Sequence, residues 1–236
     1  MSRHNRQALL SAMQENELFA SFNPSFQNAL IDIGQVFILN AGVELFAAGS
    51  NDRHLYGVVA GELVASNVDD LGNVAVLLLL RPGTWFGEIA FFDGQPRTHT
   101  VHALTRSRVL RVRSNDLEMW LKDHPEDWRH LGCMMSSKLR VALESLQDDA
   151  ILPLESRIVR RLQLITTNYK TRSKAPSEVP ISQELLAQML GVSRQSVSKG
   201  LMRLEHQGLI RRQYGKIKLI QPLSSHKAHS HTGHQQ

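Results

Sequence analysis

Residues 182–220 read SQELLAQMLGVSRQSVSKGLMRLEHQGLIRRQYGKIKLI. The stretch divides into two short amphipathic segments joined at Gly191, followed by a strand–Gly–strand tail. Ser182 is placed to cap the first segment, with Glu184 in its first turn, and Ser193 to cap the second. Gly208 stands where the second helix ends. That helix buries Val197, Leu201 and Leu204 at i, i+4 and i+7, which leaves Arg194, Gln195, Ser198 and Lys199 exposed in its first turns. Donor-rich side chains at this end of a helix-turn-helix reach base edges in the DNA major groove. The spacing therefore predicts a winged helix-turn-helix that binds double-stranded DNA.

The charge distribution agrees. Residues 155–223 hold thirteen Lys/Arg against four Glu, a net +9. Residues 1–154 hold thirteen Lys/Arg against eighteen Asp/Glu, a net −5. A basic rear on an acidic front points to a polyanion partner for the rear alone. The 236 residues suffice for two modest domains, and 42% hydrophobic with 21% charged residues are globular values. The single cysteine, Cys133, excludes an intrachain disulfide and any all-cysteine zinc or iron–sulfur site within one chain. It is expected to be a small buried residue of a long helix. The longest purely apolar run, Val74–Leu80, falls far below the roughly 18 residues that span a bilayer. The N-terminus has no long apolar core and soon meets Glu15 and Glu17. A cytoplasmic protein with no membrane partner is expected.

Upstream, residues 6–31 have the texture of short helices. From about 33 to 113, short β-rich runs alternate with turn signals: QVFIL, LYGVVAGELVAS, VAVLLLLRPG, THTVHAL and RVLRVR. Many short strands at regular spacing predict a sandwich or barrel-like module. Ser114 is placed to cap a helix, and Pro125 opens a longer one to about Ala150. On it, Trp128, Leu131, Met135, Leu139, Ala142, Leu146 and Ala150 recur at three and four residues. Part of this helix is expected to cover the β module and part to pair with a second copy, with Leu131, Met135, Leu139, Ala142 and Leu146 at the dimer interface. Leu143, off the main seam, widens the stripe.

The second strong signal is WFGEIAFFDGQPRTHTVHA, residues 85–103. A cyclic nucleotide needs a cation for its phosphate and an acceptor for its ribose hydroxyl. Arg97 offers a forked, charge-assisted pair to the first, and Glu88 accepts from the second. Gly87 lets backbone approach closely, and the Thr98 amide can cradle the anion. The predicted effector-binding set is Gly87, Glu88, Ile89, Arg97 and Thr98.

This motif, with Gly61 after LYGVVA, resembles that of the cyclic nucleotide-binding domain. In this order, with the long helix and the winged helix-turn-helix behind it, residues 15–221 resemble the Crp/Fnr family of bacterial transcription regulators. The resemblance implies an α+β fold: an N-terminal β-roll effector domain (1–113), a dimerisation helix region (114–152) and a C-terminal winged helix-turn-helix (153–223). A polar, His-rich tail (224–236) follows. It also implies a homodimer on a palindromic operator, contact with RNA polymerase, and a cyclic nucleotide effector, cAMP or cGMP first. By the same resemblance, residues matching Glu88, Arg97 and Thr98 hold ribose and phosphate, and residues matching Arg194, Gln195 and Lys199 read base edges.

The chain departs from the pattern in three ways. His99 stands where a small residue is usual. Ala142 and Leu143 stand where the cAMP-responsive activator presents hydroxyls to adenine. Gln195 and Lys199 replace a glutamate and an arginine, which implies a shifted operator. Cyclic di-GMP, another signal, or ligand-independent repression therefore stay open as alternatives. No metal, haem or iron–sulfur cluster is expected. The sequence has no nucleophile–base motif, no metal-ligand spacing and no phosphate-cradling P-loop, so an enzyme is not expected.

Overall fold

The structure is a computed structural model that describes residues 3–166, 178–213 and 215–220. The His-rich tail and most of the polar loop at 171–180 lie outside the described residues. Helices α1 (Arg3–Gln14), α2 (Glu17–Ala20) and α3 (Pro24–Ile33) lead in. Asn16 and Asn23 cap α2 and α3 by accepting from backbone N–H groups of the first turn. Strands β1 (Gln35–Leu39), β2 (Glu44–Phe46), β3 (Leu55–Ala60), β4 (Leu63–Val68), β5 (Val74–Leu80) and β6 (Trp85–Phe86) follow. After the short helix α4 (Glu88–Asp93), strands β7 (Thr100–Ala103) and β8 (Ser107–Val112) complete the module.

The strands form two four-stranded antiparallel sheets, β1-β8-β3-β6 and β2-β7-β4-β5. Alternation along β4 and β5 splits their side chains between two cores. Leu63, Ala65 and Leu80 join Val58, Val101 and Val109 inside the roll. Val64, Val76 and Leu79 belong instead to the core of the C-terminal module. Strands β3 and β8 are also covered on their other side, where Leu55, Val59, Leu110 and Val112 meet Phe19, Phe22, Phe26 and Leu30 of the leading helices.

Helix α5 (Ser114–Asp123) and a 3-10 turn (Pro125–Asp127) lead into α6 (Trp128–Ile151). A buried polar cluster fixes this junction: the Asp127 carboxylate accepts from Trp120 Nε1 at 2.8 Å and from Asn23 Nδ2 at 2.6 Å. Helix α7 (Leu154–Thr166), the two-residue strand β9 (Glu178–Val179), α8 (Gln183–Leu190), α9 (Arg194–His206), β10 (Ile210–Gln213) and β11 (Lys216–Leu219) build the C-terminal module. Strand β9 pairs with β11 and extends the wing to a three-stranded sheet in the order β10-β11-β9.

The module does not stand apart. Helix α8 lies against β5, and Arg81, just after β5, donates from Nη1 to the Ile165 carbonyl at 3.4 Å.

Two expectations about α6 are corrected. Leu131 is fully buried among the leading helices and the roll, so it is a core residue and not part of an exposed seam. Cys133 is exposed. It sits two residues, about 200°, around the helix from Leu131 and so faces away from that core.

Candidate functional site

Strand β6 delivers the chain to Gly87, whose φ of 98° is one that L side chains rarely adopt. A Cβ there would stand 2.6 Å from the His54 carbonyl oxygen and 2.8 Å from Arg97 Nη1. The sharp entry into α4 turns Glu88 inward, to 3% exposure. Both its carboxylate oxygens accept from Lys138 Nζ of α6, at 2.7 and 2.8 Å.

From the other direction, the turn after α4 brings back Arg97, 5% exposed. Its Nη1 donates to the Gly87 carbonyl at 2.8 Å, and its Nη2 donates to the His54 carbonyl at 2.6 Å and to Asp52 Oδ1. The guanidinium carbon lies 4.2 Å from the Phe46 ring centroid, a cation–π contact. Among the described residues its buried Nε has no hydrogen-bond partner.

Glu88, Gly87 and Arg97 are thus brought together. Thr98 is exposed; its carbonyl accepts from Asn67 Nδ2 of β4 at 3.0 Å, and its Oγ1 lies 2.8 Å from His99 Nδ1. The Ile89 side chain is exposed and turned out of the cluster.

His99 is half-buried in the field of Glu88, Arg97 and Lys138. Burial pushes its pKa below the ordinary histidine value, with Arg97 and Lys138 adding and Glu88 opposing. Burial alone would raise Asp52, yet hydrogen bonds from Tyr56 and Arg97 outweigh it and hold the carboxyl below its usual range.

Two residues of this cluster carried no motif. Lys138 was legible in principle: it follows the buried Leu131 and Met134 by seven and four residues, which puts a cation on the helix face that meets the roll. Asp52 lies in the irregular segment between β2 and β3, with no periodic signal at all.

At the opposite end, Ser193 caps α9 by accepting from the Ser196 N–H at 3.1 Å, as its position predicts. Val197, Leu201 and Leu204 are buried against α7 and α8, each contributing on the order of 1.5–3 kcal/mol. Gly191 closes α8 in the left-handed region, at φ 64°. Arg194, Gln195 and Lys199 stand exposed and Ser198 partly so. Three nearby cations are paired: Arg203 with Glu155, Arg212 with Glu205 and Lys216 with Glu178. Among the described residues neither Arg194 nor Lys199 has an ion-pair partner.

Along α6 the exposed apolar stripe begins at Met135 and runs through Leu139, Ala142, Leu143 and Leu146. Leu139 is 58% and Leu146 66% exposed. A shallow groove of about 630 Å³ at the end of α9, lined by Met202, Arg203, Glu205, His206, Gln207 and Arg212, contains none of the effector candidates.

The Cyclic nucleotide-binding domain family matches residues 37–124, and the Crp-like helix-turn-helix domain family matches residues 156–223. The chain belongs to the Crp/Fnr family. It is a CRP-like DNA-binding transcription regulator with a cyclic nucleotide-binding domain, and not an enzyme. Among Crp/Fnr relatives, the CRP-like cAMP-activated global transcriptional regulator of Mycobacterium tuberculosis is 28% identical over 205 residues, 86% of this chain and 91% of that protein. The cAMP-activated global transcriptional regulator CRP of Haemophilus influenzae is 26% identical over 168 residues, 70% of this chain and 75% of that protein. A CRP/FNR-family regulator of Thermus thermophilus is 27% identical with a TM-score of 0.62, covering 79% of this chain and 94% of that one. The c-di-GMP responsive global regulator CLP of Xanthomonas campestris is 20% identical with a TM-score of 0.68, over 85% of this chain and 100% of that one, a likeness of fold. No helix among the described residues is long and apolar enough to cross a membrane.

Proposed function

We propose that the chain is a cytoplasmic, homodimeric regulator whose binding to a palindromic operator is controlled by a cyclic nucleotide in the β-roll, with cAMP or cGMP as first choice. The observation that carries this reading is the convergence of Glu88 and Arg97 on Gly87, with Lys138 bridging Glu88 to the long helix. Glu88 accepts from the ribose, and Arg97 with the Thr98 amide holds the phosphate. The unpartnered Arg97 Nε is a donor fitted to an anion. A ribose hydroxyl donating to Glu88 competes with Lys138, and so acts directly on α6. The stripe from Met135 to Leu146 is the seam with a second copy, and moving it sets the two copies of α9 about one DNA turn, roughly 34 Å, apart. The effector shifts this equilibrium only by binding the DNA-competent arrangement better. Arg194, Gln195, Ser198 and Lys199 contact the DNA. RNA polymerase is the further partner.

A second reading has its own support. Ala142 and Leu143 offer no hydroxyl to a nucleobase, which fits cyclic di-GMP, another signal or a ligand-independent repressor. Calorimetry with cAMP, cGMP and cyclic di-GMP, beside mobility shift of promoter DNA with and without each, separates these readings. Arg97→Leu is expected to abolish the nucleotide effect while basal DNA binding persists. Unchanged nucleotide affinity in that variant rejects the phosphate role.

A further inference from the structure

We infer that Asp52 is an internal competitor for the effector's phosphate, a carboxylate that caps Arg97 and sets the threshold for nucleotide binding. The inference rests on the phosphate role of Arg97 proposed above. Nη1 of Arg97 donates one of its two N–H groups to the Gly87 carbonyl, whereas Nη2, the neighbour of Nε, donates to both the His54 carbonyl and Asp52. A phosphate is best held by two parallel N–H groups of a guanidinium. Of the three nitrogens only Nε is unpartnered among the described residues. A fork from Nε and its neighbouring Nη therefore requires a partner to withdraw, and Asp52 is the partner that repels an arriving anion.

Asp52 is not a swinging surface carboxylate. Its Oδ2 accepts from the Tyr56 hydroxyl at 2.7 Å, and its Oδ1 accepts from the His54 N–H at 3.1 Å. The Tyr56 and Phe46 rings lie against the same guanidinium, at 5.6 and 4.2 Å from its carbon. Tyr56 is itself buried in the roll. Asp52 thus presents Arg97 with an anion supplied by the chain. A cyclic nucleotide gains its ion pair only by displacing an existing one, so the sensor responds only once the nucleotide is abundant.

The test is calorimetric titration of full-length wild type, Asp52→Asn, Tyr56→Phe and Asp52→Asn/Arg97→Leu with cAMP, cGMP and cyclic di-GMP. Asp52→Asn keeps the shape and removes the charge. It is expected to bind the preferred nucleotide about ten- to hundredfold tighter than wild type, the worth of one charge-assisted hydrogen bond. Tyr56→Phe, which only loosens the carboxylate, is expected to tighten binding a few-fold. The double variant is expected to lose the gain. A silent wild type with a binding Asp52→Asn also supports the inference. Equal affinities for wild type and both single variants overturn the competitor role and leave the effector reading standing. No binding by wild type or either single variant, for any of the three nucleotides, overturns both. Circular dichroism establishes that Asp52→Asn is folded; if it is not, Tyr56→Phe decides the matter alone.

Discussion

The pair between Lys138 and Glu88 gives the sharpest quantitative test. Glu88 is 3% exposed, and both its oxygens are bonded to one ammonium. The Lys138 side chain is about a quarter exposed, so the pair is screened on one side only. Breaking a fully buried pair by removing one partner costs about 3–5 kcal/mol, whereas exposed pairs are worth about 0–1 kcal/mol. Lys138→Met lies between these limits, at about 2 kcal/mol, most of it the cost of leaving the Glu88 carboxylate buried without a cation. For a chain of this size that lowers Tm by about 4–8 °C. The double variant Lys138→Met/Glu88→Gln removes both charges and is expected to recover more than half of the loss. Urea denaturation of the four proteins closes the double-mutant cycle. A Lys138→Met variant within about 0.5 kcal/mol of wild type, or a double variant no better than the single, refutes the view that this pair ties the roll to α6.

Three further outcomes are expected. Lys199→Ala relaxes base preference at one operator position, whereas equal weakening on all sequences in a binding-site selection marks it as a phosphate contact. Leu139→Asp, at an exposed leucine of the α6 stripe, yields monomers by light scattering; an intact dimer places the seam elsewhere. His99 has a lowered folded-state pKa, so the fold takes up its proton less readily than the unfolded chain. The associated stability is full above about pH 6.5 and is lost as pH falls through the folded value, so the Tm of His99→Gln drops less than that of wild type on acidification.

The C-terminal helix-turn-helix was the most legible part of the chain. The caps Ser182 and Ser193, the Gly191 turn and the buried Val197, Leu201 and Leu204 all follow from residue type and period, because a helix-turn-helix is built from local interactions. Most strands of the roll were readable from β-rich runs between turns. Strand β6 was not, and neither was β9 of the wing, since two residues carry no period. Helix α6 shows the limit of periodicity. Leu131 and Met135 are four residues apart and only about 40° around the helix, so one stripe in the sequence serves two partners. Where the helix leaves its own roll and the stripe becomes free is a tertiary fact. The same holds for the cluster: Gly87, Glu88 and Arg97 announce themselves by motif, whereas Asp52 and Lys138 reach it through long-range packing.

The packing of α8 on β5 has a practical consequence for dissecting the molecule. Val64, Val76 and Leu79 share one apolar core with Ile158, Leu186 and Leu190, so the two halves have merged part of their interiors. Cutting the chain after α6 strips that cover from the sheet and leaves an oily face in water. An isolated sensing fragment would then be prone to self-association for reasons unrelated to signalling, and its oligomeric state would misreport that of the intact protein.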